Sequence, residues 1–412
     1  MTESDAYHFY IAYRGSGPVY PGIAALDPAT GRVRTTVASD PLRGLTAGPD
    51  RTRLYGLSEG GAFIDVRETQ EMLTLVNSNI TSDDENMPGT ATAMSLSRDG
   101  SRLYYSKGFN AGCADGADPE SGQRDLAVKG HPVWGTVAAA PDGKRCYLGS
   151  ESMAENNKAQ TPCIVALGPA KGEQSTLLAV ASPTKNRYRV DLLLSDDGAT
   201  LYAWNANSDD PLVAVDTTTM TITARSAGRA PSTVALHPDG RLYTVDRERG
   251  GVILAPSTLT DSGTFPCAPD SAPVLAFGPD GALLVAQADG TCTVLAPGAS
   301  QVSGPARLTG SPVAAVAAAP TERPQRDEPK YMARFKQDGK TCREIQDGVL
   351  KQVGTIAKDT GVPQSDKTIE GGYRLIDDGV WRPWSLSSYK YFYRIPDWEN
   401  LLVDGDDLTW ES

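Results

Sequence analysis

Histidine and tyrosine side chains with acid–base chemistry stand at one kind of position in this sequence. His131 and Tyr188 each come just before a short apolar run, whereas His8 lies in a strand pattern and His237 in a turn pattern. An imidazole exchanges protons near neutral pH, and a phenol can act beside it. We therefore predict His131 and Tyr188 as catalytic candidates; the alternative for His131 is a hydrogen-bonded structural side chain.

Three arginines share the same kind of position before an apolar run. Guanidinium groups bind carboxylates and phosphates through paired hydrogen bonds. If the runs converge, the arginines form a positive patch, which either binds an anionic group or pairs with nearby acids in a structural network. The predicted ligand-binding set contains these arginines, one tryptophan and two acids: Arg43, Arg187, Arg229, Trp204, Asp246 and Glu151.

Common catalytic and metal-binding motifs are missing from the sequence. There is no P-loop, Rossmann, HExxH or kinase motif, and the six cysteines form no CxxC pair. Acidic clusters at 83–85 and 209–210 suit calcium or magnesium, or are solvated loop charges. No cofactor is evident, and a divalent cation, magnesium or calcium, is the one candidate.

A turn-and-strand unit recurs over the first 320 residues. A turn, in most copies Asp-Gly, precedes a strand with an aromatic or apolar residue at a fixed position, and the copies are 41 to 55 residues apart. Asp-Gly favours a tight hairpin, and this interval is typical of four-stranded propeller blades. The aligned residues are Tyr55, Tyr104, Tyr147, Tyr202, Tyr243 and Leu284.

The two ends of the repeat region complete each other. Residues 7–13 have the pattern of a second strand without its first, and residues 313–320 that of a first strand without its second. Joining them closes a ring and removes free sheet edges. We predict an all-β fold over 1–322: a seven-bladed β-propeller closed by N- and C-terminal strands in one blade.

The repeat resembles the YVTN family, within the WD40-like seven-bladed propellers that include virginiamycin B lyase-like proteins. The resemblance rests on residues 215–219, 228–231 and 238–243. It implies the fold and is silent on activity, because propellers include enzymes, lectins and scaffolds. The lyases of that group use magnesium with a catalytic histidine and glutamate. This chain has no residue-by-residue match to that pair.

The composition changes after Pro320. Residues 323–330 form a polar predicted linker, and residues 331–412 hold four of the six tryptophans. Apolar residues at helical spacing predict a helix over about 341–360 in a small aromatic-rich α+β appendage. Its aromatic side chains form a small core with a docking face, or a lid or partner-binding surface.

The charge and hydropathy of the chain disfavour two classes of partner. A net charge of −12 argues against nucleic acid and against anionic membrane surfaces. No apolar run approaches the ~20 residues of a membrane-spanning helix, and the N-terminus lacks a signal-peptide pattern. We predict a cytoplasmic protein with no nucleic-acid or membrane partner.

The long irregular segments fall on one predicted face of the ring, at 77–89, 107–130, 150–160, 183–189 and 204–211. They differ from blade to blade, which favours one asymmetric site over the repeated sugar contacts of a lectin. We predict a binding propeller that presents this loop-rich face and the channel mouth to a small ligand, anions included, or to a protein partner. The alternative is a lyase or cyclase of small-molecule metabolism acting at the channel mouth.

Overall fold

The computed structural model describes residues 7–15, 21–39, 41–47, 54–58, 63–68, 73–78, 91–108, 110–116, 124–126, 133–152, 159–168, 174–206, 208–269, 271–297 and 305–319, together with short strands from 332 onward. The chain divides into two compact units. One comprises Met1–Leu75 with Ile80–Thr321, and the other Val76–Asn79 with Glu322–Ser412.

The first unit is built from antiparallel sheets of four strands joined by turns. In its described residues there is no helix, and no helix of the described chain is long and apolar enough to cross a membrane. The first three sheets in chain order are β1 (His8–Arg14), β2 (Gly22–Asp27) and β3 (Arg32–Ala38), joined by the late strand β29 (Ser311–Ala318); β4 (Leu42–Ala47), β5 (Leu54–Ser58), β6 (Phe63–Glu68) and β7 (Leu73–Ser78); and β8 (Ala93–Leu96), β9 (Arg102–Lys107), β10 (Asn110–Asp115) and β11 (Arg124–Leu126). The fourth sheet is β12 (Val133–Ala139), β13 (Cys146–Ser152), β14 (Cys163–Leu167) and β15 (Gln174–Ala179), with β16 (Tyr188–Arg189) beside β13. The last three are β17 (Asp191–Leu194), β18 (Thr200–Trp204), β19 (Val213–Asp216) and β20 (Thr221–Arg225); β21 (Thr233–Leu236), β22 (Leu242–Asp246), β23 (Gly250–Leu254) and β24 (Asp261–Thr264); and β25 (Val274–Phe277), β26 (Leu283–Ala286), β27 (Thr291–Leu295) and β28 (Ala306–Arg307).

These sheets form a β-propeller. Within the described residues, six of them have all three strand pairings in register, so the structure shows six complete blades rather than the seven predicted. The sheet of β4–β7 has described registers for β4–β5 and β5–β6 only. The seventh blade therefore stays a prediction.

The two ends of the repeat region meet in one sheet. Strand β29 pairs with β1, and the register places His8 opposite Ala318 and Tyr10 opposite Val316. The pairing covers the edge of β1, and β29 becomes the innermost strand of the sheet. The predicted joining of N- and C-terminal strands in one blade is confirmed.

Apolar side chains on both faces of the inner strands hold successive sheets together. Phe9 and Ile11 of β1 pack against the β25–β28 sheet, whereas Tyr10 packs on the other side with Leu42 and Leu54 of β4 and β5. Because side chains alternate along a strand, one strand supplies two inter-sheet cores. This explains why the sequence of the inner strands is almost entirely apolar.

The tyrosines aligned in the sequence repeat tie neighbouring sheets together. The Tyr104 hydroxyl donates to the Gly143 carbonyl (2.7 Å) in the turn between β12 and β13. The Tyr55 hydroxyl likewise reaches Gly116 O (3.3 Å), just after β10. Burial raises the pKa of Tyr104, so the phenol remains a donor. The recurring tyrosine therefore links one sheet to the next through a hydrogen bond.

The second unit contains strands where a helix is predicted. Within its described residues it has no helix, and its strands are β30 (Met332–Ala333), β31 (Thr341–Gln346), β32 (Val349–Ile356), β33 (Pro363–Gln364), β34 (Leu375–Asp377), β35 (Val380–Arg382), β36 (Leu401–Val403) and β37 (Trp410–Glu411). The helix predicted over 341–360 is wrong. Gln346 lies opposite Val349, so β31 and β32 pair as consecutive antiparallel strands. The two residues between them in the sequence, Asp-Gly, favour a hairpin over a helix.

Candidate functional site

An extra strand distinguishes the β12–β15 blade. β16 pairs antiparallel with the end of β13, which places Arg189 opposite Glu151 and Tyr188 opposite Ser152. β13 thus continues past the start of β14 and receives a second neighbour there. The pairing brings charged side chains from two separate parts of the chain together where inner strands begin.

The segment after β16 is fixed on this blade through Val190. Its N–H donates to Ser150 O (2.9 Å), and its carbonyl accepts from Thr136 Oγ1 (2.5 Å). Gly149 is required for this approach, because a Cβ there would lie 2.2 Å from Val190 O. The chain between β16 and β17 is therefore clamped to two strands of the neighbouring blade.

Two acids and two arginines come together at this point. Arg189 Nε donates to Asp191 Oδ1 (2.9 Å). Burial raises the pKa of Glu151, Arg189 and Arg43 lower it, and Asp191 raises it again. Burial also raises the pKa of Asp191, against the opposing effect of Arg189. We call Arg43, Glu151, Arg189 and Asp191 the mouth cluster.

β-bulges position two members of the mouth cluster. The β4–β5 register shifts between Leu42 and Gly44, so Arg43 is the extra residue, and a bulge redirects its side chain. Gly135 is the extra residue at a second register shift, in β12. Its lack of a side chain leaves room for Glu151, since a Cβ on Gly135 would lie 2.3 Å from Glu151 Oε2. Arg43 lies in a different sheet from Glu151, and like Arg189 it lowers the pKa of the Glu151 carboxyl.

Tyr188 and Trp204 are buried residues next to members of the mouth cluster, Tyr188 beside Arg189 in the chain and Trp204 opposite Asp191 in the β17–β18 pair. Tyr188 is 2% exposed and packs in the core between the β12–β15 and β17–β20 sheets, with Ser150 near its hydroxyl. Trp204 lies opposite Asp191 in the β17–β18 register and is 8% exposed. Among the described residues, its indole Nε1 has no hydrogen-bond partner. The predicted catalytic role of Tyr188 stays a prediction.

Two predicted site residues have other partners. Arg229 Nε lies 3.0 Å from Asp209 Oδ1 on the exposed surface. Asp246 accepts hydrogen bonds from the backbone N–H groups of Glu248 (2.8 Å) and Arg249 (2.9 Å), as turn-closing aspartates do. The structure does not bring Arg229 or Asp246 into the mouth cluster.

The remaining predicted residues lie beside the cluster or outside the described chain. Arg187 is exposed and stands two residues before Arg189. His131 lies outside the described residues. Arg189 and Asp191 are absent from the predicted set, although the alternation of polar and apolar residues from Arg187 to Asp191 is a signal for an extended segment that presents them.

The predicted divalent-cation site stays a prediction. No group of three or more His, Cys, Asp or Glu side chains in the described part of the chain is placed to hold a metal ion. Asp210 accepts from the hydroxyl of Ser208 (2.7 Å), and Asp209 faces Arg229. The acidic cluster at 83–85 lies outside the described residues.

Comparison with known proteins supports the fold and does not name a family. No protein-family model matches the chain, and no curated protein matches it. Among solved structures 1210 chains match. Apo AztD from Citrobacter koseri has a TM-score of 0.51 and 10% sequence identity, covering 76% of this chain and 98% of its own. This similarity shows the fold alone, and the fold hosts many functions.

Two further structures match less of the chain. Hydrazine synthase of Kuenenia stuttgartiensis has a TM-score of 0.44 at 15% identity, covering 62% of this chain and 76% of its own. The Cps50 (Swd1) β-propeller domain of Myceliophteria thermophila has a TM-score of 0.46 at 14% identity, covering 64% and 86%. The chain is a β-propeller; its membership of the YVTN group stays a prediction.

Proposed function

We propose that this chain is a binding propeller that takes a small anionic ligand at the mouth cluster. The observation that carries the proposal is the state of Arg189. Asp191 accepts from its Nε, while Nη1 and Nη2 have no hydrogen-bond partner among the described residues. A guanidinium oriented through one nitrogen and open at the other two is suited to paired hydrogen bonds with a carboxylate or phosphate.

The electrostatics of the cluster favour an anion in spite of the net charge of −12. Arg43 and Arg189 supply two cationic side chains. Burial raises the pKa of both Glu151 and Asp191, which makes their ionised forms less favourable. The acids therefore offset the arginines less than two exposed carboxylates would.

The proposal includes the β4–β7 sheet as a seventh blade, because that sheet supplies Arg43. Leu42 and Leu54 pack against the β1–β3 sheet, while Tyr55 and Leu57 pack against the β8–β11 sheet. The inner strands of β4–β7 thus occupy a place between two complete blades. A ring of this kind directs the starts of its inner strands toward one channel.

The test is anion binding by variants of both arginines. Methanesulfonate and phosphate are titrated into the wild-type protein, Arg43→Ala, Arg189→Ala and the double variant, with binding followed by calorimetry or ligand-observed NMR. The matched control is Arg249→Ala, since Arg249 is a similarly exposed arginine that pairs with Asp246 and Asp261.

We expect the double variant to lose at least tenfold in affinity, while its melting temperature stays close to that of the wild type. Arg249→Ala should retain wild-type affinity. Equal affinity in the wild type and the double variant, or no anion binding by the wild type, would overturn the proposal.

One observation favours the alternative of a lyase or cyclase. Glu151 is a partly buried carboxyl whose pKa is raised, and such groups serve as general bases when they face a substrate. Incubating a panel of carboxylate metabolites with the wild type and with Glu151→Gln tests this candidate. Turnover by the wild type that Glu151→Gln abolishes, with anion binding retained, would favour the enzyme; no turnover by the wild type would leave the binding function.

A further inference from the structure

We propose that the ligand of the mouth cluster carries two anionic groups, with Arg187 holding the second, so that its class is that of a small dicarboxylate. The inference rests on the proposed function, since it assigns the first anionic group to Arg189 and Arg43. It adds a second contact, and with it a preference for the spacing between the two groups.

The alternation of exposure along residues 187–190 carries the inference. Arg187 and Arg189 are exposed, whereas Tyr188 is 2% exposed and Val190 is fully buried. This is the pattern of an extended segment with one face on the core. Two residues apart in an extended chain, the Cα atoms of the two arginines lie about 7 Å apart, and their side chains leave on the same side.

The spacing of the two arginines is held by the rest of the segment. Tyr188 and Val190 pack in one hydrophobic cluster with residues of the β12–β15 and β17–β20 sheets. Upstream, the backbone N–H groups of Gln160 and Thr184 donate to each other's carbonyls, both at 2.8 Å. Arg187 and Arg189 thus project from a backbone fixed on both sides, and preorganisation of this kind favours a ligand of matching length.

Arg187 has no counter-charge in the described part of the chain. No hydrogen bond or ion pair joins it to a described residue, whereas Arg229 pairs with Asp209 and Arg249 with two aspartates. Counted within the described residues of this segment and the mouth cluster, three arginines, Arg43, Arg187 and Arg189, accompany two acids, Glu151 and Asp191, which leaves one positive charge in excess. A second anionic group on the ligand would complete the pairing.

The experiment is a length series of linear dicarboxylates, from malonate to suberate, each compared with the monocarboxylate of equal chain length. Affinities are measured for the wild type, Arg187→Ala and Lys185→Ala. Lys185 is the control because it is an exposed cation nearby that lies before the extended segment. Melting temperatures of all three proteins establish that they are folded.

We expect one intermediate length to bind the wild type at least tenfold more tightly than its monocarboxylate. Arg187→Ala should lower the affinity for that dicarboxylate at least tenfold, with a much smaller loss for the monocarboxylate of equal length. Lys185→Ala should keep the length preference.

Three results would overturn the inference: affinity independent of length, no effect of Arg187→Ala, or equal losses in Arg187→Ala and Lys185→Ala. In each case monocarboxylate binding that depends on Arg189 would leave the proposed function standing. Failure of the wild type to bind either series would also overturn the inference, and the titration with methanesulfonate and phosphate would then decide the proposed function.

Discussion

The blade of β12–β15 and the blade of β21–β24 differ in the length and regularity of their inner strands. The first has inner strands of seven residues each, a bulge at Gly135 and the added strand β16. The second has inner strands of four and five residues, an inner pair without a register shift and a short turn from Asp246 to Gly250. The bulge at Gly135 and the added strand β16 both lie beside the candidate site.

The carboxyl groups of the two regions have pKa values that are shifted in opposite directions. Burial opposes ionisation of Asp246, yet the backbone N–H groups of Arg249 and Glu248 hold its pKa below the usual range. Burial raises the pKa of Glu151 and of Asp191. Folding stabilises the charged form of the carboxylate that closes a turn, whereas it makes ionisation of the two mouth-cluster carboxyls less favourable. Costs of this kind are characteristic of functional sites.

The largest expected effect is the loss of stability when a side chain is added at Gly149, where the backbone of Val190 approaches β13. Gly149→Ala would place a Cβ 2.2 Å from Val190 O and 2.3 Å from Thr136 Oγ1. Because backbone must move, we expect a loss of about 3 kcal/mol in the free energy of unfolding. Chemical denaturation measures this loss, and a weakened anion affinity should accompany it.

Gly44→Ala is the matched control for that variant, since a Cβ there meets no atom within 4 Å. It should change stability little. If Gly149→Ala were as stable as Gly44→Ala, the clamp on Val190 would not be the feature that sets the irregular blade apart.

The next effect separates the two kinds of carboxyl by their pH dependence. Asp246→Asn should cost about 1 kcal/mol near neutral pH, because hydrogen bonds to a charged group are stronger than those to an amide. Since the pKa of Asp246 is lowered by folding, this stability is present above the unfolded pKa and is lost as the pH falls through the folded value.

Asp191→Asn should show the opposite trend. Its pKa is raised by folding, so the wild type is favoured relative to the variant at low pH, and that advantage is lost as the pH rises through the folded value. Thermal unfolding of the three proteins between about pH 4 and 8 measures both trends. Curves of the same slope for the two variants would remove the distinction between turn-closing and site carboxyls.

The sequence predicted features that depend on local chemistry better than those that depend on pairing across the chain. Asp-Gly turns and the repeated tyrosine indicate where the blades lie. Arg43 and Glu151, which the sequence places in one predicted set, also interact in the structure, and their role in binding stays a prediction. The predicted helix over 341–360 is wrong because apolar spacing alone does not separate a helix from a hairpin, whereas Asp-Gly in the middle of the segment favours a hairpin. Arg189 and Asp191 were missed because their importance arises from the pairing of β16 with β13, which no local pattern encodes.

The smallest effect is on anion affinity as a function of pH. Methanedisulfonate stays ionised throughout, so any change reports the protein. As the pH falls through the raised pKa values of Glu151 and Asp191, these acids become neutral and affinity should rise a few-fold. Glu151→Gln should bind more tightly at neutral pH and show a flatter profile. A profile that falls on acidification would contradict the assignment of these acids to the site.

The most direct test of anion binding at the mouth cluster is a crystal of the full chain soaked in selenate, with anomalous scattering used to locate the ion. We expect the strongest selenium peak at about 4 Å from Arg189 Nη1 or Nη2, on the side that faces Arg43, so that a selenate oxygen accepts a hydrogen bond from the guanidinium. Selenate bound at other arginines, such as Arg249, with no peak at Arg189 would contradict it.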